Sequence, residues 1–94
     1  MTEETNKALT QNVTISNKLG LHARAAAKFV RVAQAFQSEV FLAKDGETVD
    51  GKSIMDILLL AAEKGTQITL TVNGSDQNEA FSTLKELIEA GFGE

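Results

Sequence analysis

The chain contains a single histidine, His22, and an arginine, Arg24, follows it two residues later. A ring nitrogen of imidazole can act as a nucleophile and hold a transferred group covalently. A guanidinium is planar and permanently charged, and it binds phosphate through two parallel hydrogen bonds. The pair therefore indicates a site at which a histidine accepts a phosphoryl group.

The residues after His22 predict a helix that would start beside the imidazole. Apolar side chains recur at helical spacing over residues 22–36 and would form its buried stripe: Ala26, Phe29, Val30, Ala33 and Phe36. The first N–H groups of a helix lack intrahelical partners and carry the positive end of the helix dipole. They favour an added phosphoryl group by ~0.3–1 kcal/mol, or up to ~2 kcal/mol when partly buried. The simpler alternative is that His22 only begins the helix and that Arg24 is a solvated surface residue.

The other elements are predicted from periodicity and turn signals. Polar and apolar residues alternate, or apolar residues cluster, in four strand segments: 12–16, 38–44, 47–49 and 66–72. Asp45-Gly46 is a tight-turn signal between the middle two strands. Two more helices are predicted at 53–62 and 76–90.

This order of elements predicts the fold class. Strands with one polar face imply an antiparallel sheet whose other face is covered by helices. We therefore expect an α/β protein of the α+β type, an open-faced sandwich with the order strand-helix-strand-strand-helix-strand-helix. It would have a four-stranded antiparallel sheet with three helices on one face. Residues 1–11 are predicted to be a polar flexible tail, followed by a single domain over residues 12–94.

Composition excludes several classes of function. The 94 residues carry a formal net charge of −4, which argues against nucleic-acid binding. With one histidine, no cysteine and no clustered carboxylates, the chain has too few ligands for a metalloenzyme, and we expect no metal and no cofactor. A P-loop is excluded because Gly51-Lys52-Ser53 supplies only the end of that motif. No segment reads as a signal peptide or a membrane span, so a cytoplasmic protein is expected.

A basic stripe accompanies His22 on the predicted helix. Lys28 and Arg31 recur with Arg24 at helical spacing, on a different face from the apolar stripe. Such a stripe in an acidic protein predicts docking to an acidic partner surface, although a basic stripe can also be a solvated face.

The segment NKLGLHAR (residues 17–24), followed by an alanine-rich helix, resembles the active-site segment of the HPr family, the histidine-containing phosphocarriers of the phosphoenolpyruvate-dependent phosphotransferase system. The resemblance extends to GKSIM (51–55), to AEKG (62–65) and to the closing helix. It implies that His22 accepts a phosphoryl group on Nδ1 from phosphorylated enzyme I and passes it to an EIIA-type domain. It further implies that Arg24 shields and orients the phosphate. The family commonly has proline directly after this arginine, whereas this chain has Ala25, which is a good helix former but does not pre-set the first turn.

A second motif surrounds Ser53. Serine is a favoured N-cap, and the spacing to Asp56 fits a cap with an acid in the first turn. The resemblance also makes Ser53 a site of regulatory phosphorylation, with HPr kinase/phosphorylase as a further partner. Asp56 would oppose a phosphate there by like-charge repulsion.

Three apolar residues after Ser53 are candidates for partner binding: Ile54, Met55 and Leu58. Any one of them could belong to the core, but Ile54 and Met55 are adjacent in a first turn and cannot both point inward. The resemblance implies that they form an exposed patch that enzyme I and the acceptors bind, and Met55 suits a surface with several partners.

Two functions remain open at this point. The first is a monomeric phosphoryl-relay protein with a phosphohistidine intermediate, which is not an independent enzyme. The second is an HPr-like regulatory or adaptor domain of the nitrogen-related branch that acts mainly by protein binding. Retention of both His22 and Arg24 favours the first.

Overall fold

The structure, a computed structural model, describes residues 7–94. Its four strands are β1 (Leu9–Thr14), β2 (Glu39–Lys44), β3 (Glu47–Asp50) and β4 (Gln67–Asn73). Its three α-helices are α1 (Ala23–Ala33), α2 (Ile54–Leu59) and α3 (Gln77–Glu89), and a 3₁₀ turn follows at Gly91–Gly93. The predicted order of elements is confirmed.

The four strands form one antiparallel sheet in the order β1-β4-β2-β3. The hairpin between β2 and β3 turns at Asp45 (φ 53) and Gly46 (φ 83), and two consecutive residues with positive φ are what a type I′ turn requires. One face of the sheet is polar: Thr10 and Thr71 share a hydrogen bond of 3.0 Å between their hydroxyl groups. The predicted open-faced sandwich of the α+β type is therefore confirmed.

The core lies between the other sheet face and the helices. Alternate residues of β4 point into it, and so does one stripe of each helix. Its largest fully buried apolar side chains include Phe29, Leu42, Ile57, Ile68, Leu84 and Phe92. Each of these contributes about 1.5–3 kcal/mol through removal of apolar surface from water.

Three element boundaries differ from the sequence predictions by three residues, and the others differ by fewer. β1 begins at Leu9 rather than at residue 12, because Leu9, Thr10 and Gln11 pair with β4, so these residues do not belong to a tail. The rest of the predicted tail, residues 1–6, lies outside the described residues. α1 ends at Ala33 rather than at residue 36, and the N–H of Phe36 instead donates to the carbonyl of Ala33 at 3.1 Å in a tighter turn.

α2 is also shorter than predicted, ending at Leu59 instead of continuing to residue 62. Ala61 has a φ of 51, a left-handed conformation that interrupts a right-handed helix. The carbonyls freed by this ending find tertiary donors. Leu60 O accepts from Lys44 Nζ at 3.0 Å, and Ala62 O accepts from the N–H of Leu21 at 2.9 Å.

The loop before α1 is held against the chain that follows α2. Gly20 has a φ of 68, and a Cβ atom built there would lie 2.5 Å from Ala62 O, so only glycine allows this approach. This contact and the Leu21–Ala62 hydrogen bond place the start of α1 beside the end of α2. Residues 17–24 and 62–65, both singled out in the sequence, thereby contact each other.

Candidate functional site

His22 is the N-cap residue of α1, as expected. Its backbone is extended (φ −80, ψ 178), and its carbonyl accepts the first helical hydrogen bond, from the N–H of Ala26 at 2.9 Å. The ring nitrogen Nδ1 accepts from the N–H of Arg24 at 3.3 Å. This long bond directs Nδ1 toward the positive end of the helix, where an added anion is favoured.

The other ring nitrogen, Nε2, contacts Glu94. It lies 2.9 Å from Oε1 and 2.8 Å from Oε2 of this carboxylate. Because an ionised carboxylate only accepts hydrogen bonds, the arrangement assigns the ring proton to Nε2 and leaves the lone pair on Nδ1. The imidazole side chain is still 25% exposed, so a partner can reach it.

Glu94 reaches the ring because the chain after α3 folds back in a left-handed turn. Gly91 (φ 65), Phe92 (φ 58) and Gly93 (φ 76) all have positive φ. For Phe92 this conformation costs about 1–2 kcal/mol, and complete burial of its ring contributes about as much in the opposite direction. Lys28 Nζ also donates to the carbonyl of Phe92 at 2.7 Å.

The surroundings of Glu94 stabilise its charged form. The hydrogen bond from His22 lowers the pKa of the Glu94 carboxyl below its ordinary value, partly opposed by desolvation. A hydrogen bond from Asn17 and electrostatic interactions with His22 and Arg24 lower this pKa further. Glu94 is therefore a carboxylate at neutral pH, which supports the assignment of the Nε2 proton.

The three basic residues of α1 have different environments. Arg24 and Arg31 are exposed, as a docking surface requires. Lys28 is half-buried, and its ammonium donates to Phe92. This contact gives Lys28 a role in holding the turn that carries Glu94, a role that the helical stripe did not reveal. A role in partner binding stays a prediction for Lys28 and Arg31.

Ser53 is the N-cap of α2, as predicted, and its Oγ accepts from the N–H of Asp56 at 3.2 Å. Two carboxylates surround this cap. Asp56 Oδ2 accepts from the N–H of Asp50 at 3.3 Å, and Asp50 Oδ1 accepts from the N–H of Lys52 at 2.9 Å.

Five large apolar side chains are exposed on α2 and on the loop before α1. Met55 is 74% exposed, Ile54 39% and Leu58 37%, while Ile57 between them is fully buried. Ile54, Met55 and Leu58 therefore do not belong to the hydrophobic core. Leu19 (69% exposed) and Leu59 (70%) were not singled out in the sequence. We call Leu19, Ile54, Met55, Leu58 and Leu59 the apolar patch.

Sequence reasoning missed Glu94 and Asn17. Asn17 Nδ2 donates to Gly20 O at 2.7 Å and to Glu94 Oε1 at 3.1 Å. Glu94 lies 72 positions from His22, and no local pattern connects the two. The only signal for Asn17 in the sequence was its place at the start of the segment NKLGLHAR (residues 17–24), which resembles the HPr active-site segment.

Comparison with known proteins identifies the family of this chain. Residues 9–90 match the family model described as the PTS HPr component phosphorylation site. The chain belongs to the HPr phosphocarrier family of the phosphotransferase system. It is 51% identical to the phosphocarrier protein HPr of Neisseria meningitidis serogroup A over 86 residues, which cover 92% of this chain and 97% of that protein.

Solved HPr structures share the fold. One is an HPr from Thermoanaerobacter tengcongensis, with a TM-score of 0.88 and 43% identity over 92% of this chain and 97% of that one. Another is the phosphocarrier protein HPr of Bacillus anthracis, with a TM-score of 0.84 and 44% identity over 88% of this chain and 99% of that one. Within residues 7–94 we find no helix long and apolar enough to cross a bilayer.

Proposed function

We propose that the chain is a phosphoryl relay in which His22 accepts a phosphoryl group on Nδ1 from phosphorylated enzyme I and passes it to an EIIA-type acceptor. The observation that carries the proposal is the orientation of the imidazole. Nε2 is bound to the Glu94 carboxylate at 2.8 Å, so the lone pair on Nδ1 faces Arg24 and the start of α1.

In the proposed reaction, the Nδ1 lone pair forms a bond to phosphorus as the bond between phosphorus and its donor breaks. The ring then carries a positive charge, with its proton on Nε2, and Glu94 offsets that charge. Arg24 and the N–H groups of the first turn of α1 bind the phosphoryl oxygens. These are surface interactions of modest strength, which suits a group that must be handed on.

The proposed docking surface joins the apolar patch to the basic residues of α1. An apolar centre with a charged rim is typical of transient interfaces. We further propose that the protein works as a monomer in the cytoplasm, where enzyme I and the EIIA-type domains would alternate on this one surface.

Ser53 is proposed as a regulatory site that HPr kinase/phosphorylase modifies. Its place at the edge of the apolar patch supports this role, because a phosphate there would add charge where partners dock. The test is Ser53→Asp: slower transfer from enzyme I supports the role, and an unchanged rate contradicts it.

The relay itself is tested with enzyme I and phosphoenolpyruvate from the same bacterium. We expect incorporation of one acid-labile, base-stable phosphate, measured by intact mass, and none in His22→Ala. Asn12→Ala, on the opposite side of the sheet, serves as the matched control. Absence of phosphate from the wild-type protein with an active cognate enzyme I would favour the adaptor function instead.

The docking surface is tested by Met55→Asp, with Thr48→Asp on an exposed strand position as the matched control. Since both variants add one negative charge, a weaker affinity for enzyme I in Met55→Asp alone locates the interface. Equal affinities would place it elsewhere.

A further inference from the structure

We infer that Asn17 is a positioning residue for phosphoryl acceptance by His22, acting through Glu94. The side chain of Asn17 is buried, with only 5% of the residue exposed. Its amide nitrogen donates to Glu94 Oε1 at 3.1 Å, and the same carboxylate accepts from His22 Nε2. The inference rests on the proposed function of His22, but it concerns a residue that does not touch the phosphoryl group.

The orientation of the Asn17 amide is determined by its two partners. Gly20 O and Glu94 Oε1 are both acceptors, so the group that faces them must be the NH₂. The amide oxygen is then left in the interior without a donor among the residues that the structure describes. A buried acceptor without a partner destabilises the folded state.

This arrangement is poorly explained by fold stability alone. A small apolar side chain would fill the same interior position without an unpaired oxygen. What asparagine adds is two N–H groups, of which one holds the loop at Gly20 and the other holds Glu94. Gly91, at the start of the left-handed turn, also lies against this side chain, since a Cβ built there would be 3.3 Å from the Cβ of Asn17.

The consequence concerns the imidazole. A carboxylate held by both Asn17 and the turn keeps an acceptor at Nε2, so the ring proton stays there. In the neutral ring, Nδ1 is then the nitrogen with the free lone pair. Without Asn17, Glu94 would lose one of its two side-chain donors and sample positions away from the ring.

The first experiment measures the tautomer in the free protein, with no phosphoryl donor. Ring ¹⁵N shifts at neutral pH distinguish a proton on Nε2 from one on Nδ1. We expect the Nε2–H tautomer in the wild type and a mixture in Asn17→Ala. Asn12→Ala, which removes an exposed asparagine bonded to Thr69 on the other sheet face, should match the wild type.

Asn17→Ala also removes the bond to Gly20, so a second variant separates the two effects. Glu94→Ala leaves the Asn17–Gly20 bond in place. If Asn17 acts through Glu94, the double variant should have the ring shifts of Glu94→Ala, and the two substitutions should not add. Additive shifts, or a wild-type tautomer in Asn17→Ala, would overturn the inference.

The second experiment measures the rate at which enzyme I phosphorylates His22. Asn17→Ala should slow it by about threefold to tenfold, the range of one hydrogen bond, with no additional slowing when Glu94→Ala is combined with it. The two proposals fail differently. If no phosphate reaches wild-type His22, the relay proposal is wrong, while the tautomer result stands. If transfer occurs but Asn17→Ala leaves the rate and the ring shifts unchanged, only the positioning role of Asn17 is wrong.

Discussion

The starts of α1 and α2 are built in the same way, but their first turns carry charges of opposite sign. Each begins with a side chain that caps its own helix and can carry a phosphate, His22 in α1 and Ser53 in α2. The first turn of α1 contains no acid, and Arg24 lies in it. The first turn of α2 contains Asp56, and Asp50 precedes its cap.

The two caps also differ in the hydrogen bonds that surround them. Nδ1 of His22 accepts a single N–H at 3.3 Å, whereas the Ser53 cap is part of a set of three hydrogen bonds with Asp50 and Asp56. The comparison indicates that a helix start does not by itself make a phosphate site. Neighbouring charges decide whether an added phosphate is stabilised or repelled, and by this criterion the first turn of α1 favours a phosphate more than the first turn of α2 does.

The largest expected effect is on the rate of phosphoryl transfer when Arg24, the cation in the first turn of α1, is removed. Arg24→Ala should slow transfer from enzyme I by about 10²-fold, the effect of removing one donor from a charge-stabilising site, while the fold remains intact. Stopped-flow phosphorylation and circular dichroism measure the two quantities. Lys85→Ala on α3 removes the same charge away from the site and should leave the rate unchanged. Unfolding of Arg24→Ala would mean that Arg24 is structural.

The next effect compares the two caps as stabilisers. Ser53→Ala should lower the free energy of unfolding by about 0.5–2 kcal/mol, because serine is a favoured N-cap residue and alanine is not. His22→Ala should change it by about 0.5 kcal/mol or less, as expected for a partly exposed residue that is not of a favoured N-cap type. Urea denaturation measures both. A larger loss in His22→Ala would show that His22 is retained for stability.

A smaller effect concerns the charge at α2. Ser53→Asp places a negative charge near Asp56, and the repulsion should be relieved in an Asp56→Asn background. A double-mutant cycle in urea should give a coupling energy of about 0.3–1 kcal/mol, weaker in high salt. Zero coupling would mean that Asp56 does not repel a negative charge at position 53, and the proposed electrostatic difference between the two helix starts would be wrong.

The smallest effect is a pH dependence at the α1 site. Because folding lowers the pKa of Glu94, its carboxylate stabilises the folded state above the ordinary carboxyl range, and this stabilisation is lost as the pH falls through the folded pKa. The difference in unfolding free energy between the wild type and Glu94→Gln should therefore shrink as the pH falls from about 5 toward 3. Asp76, whose pKa is also lowered, is common to both proteins and cancels. A difference independent of pH would contradict the Glu94–His22 contact.

Most of the fold could be predicted because it follows from local periodicity. β4 alternates buried residues with partly or fully exposed ones along its whole length. The turn between β2 and β3 depends on the backbone conformation of Asp45 and Gly46 themselves. The errors lie at element ends, where a tertiary contact competes with the local pattern. The apolar run after Ser53 predicts a longer helix than α2, but Leu21 and Lys44 bind the carbonyls at its end.

The sequence by itself determined the two helix starts, His22 with Arg24 and Ser53 with Asp56, because a cap and its first turn are only a few residues apart. Only the tertiary structure decided which ring nitrogen of His22 is free. That choice depends on Glu94, 72 positions away, and on Asn17, whose burial holds the carboxylate in place. Contacts between distant segments depend on how the elements pack, and residue spacing along the chain does not reveal them.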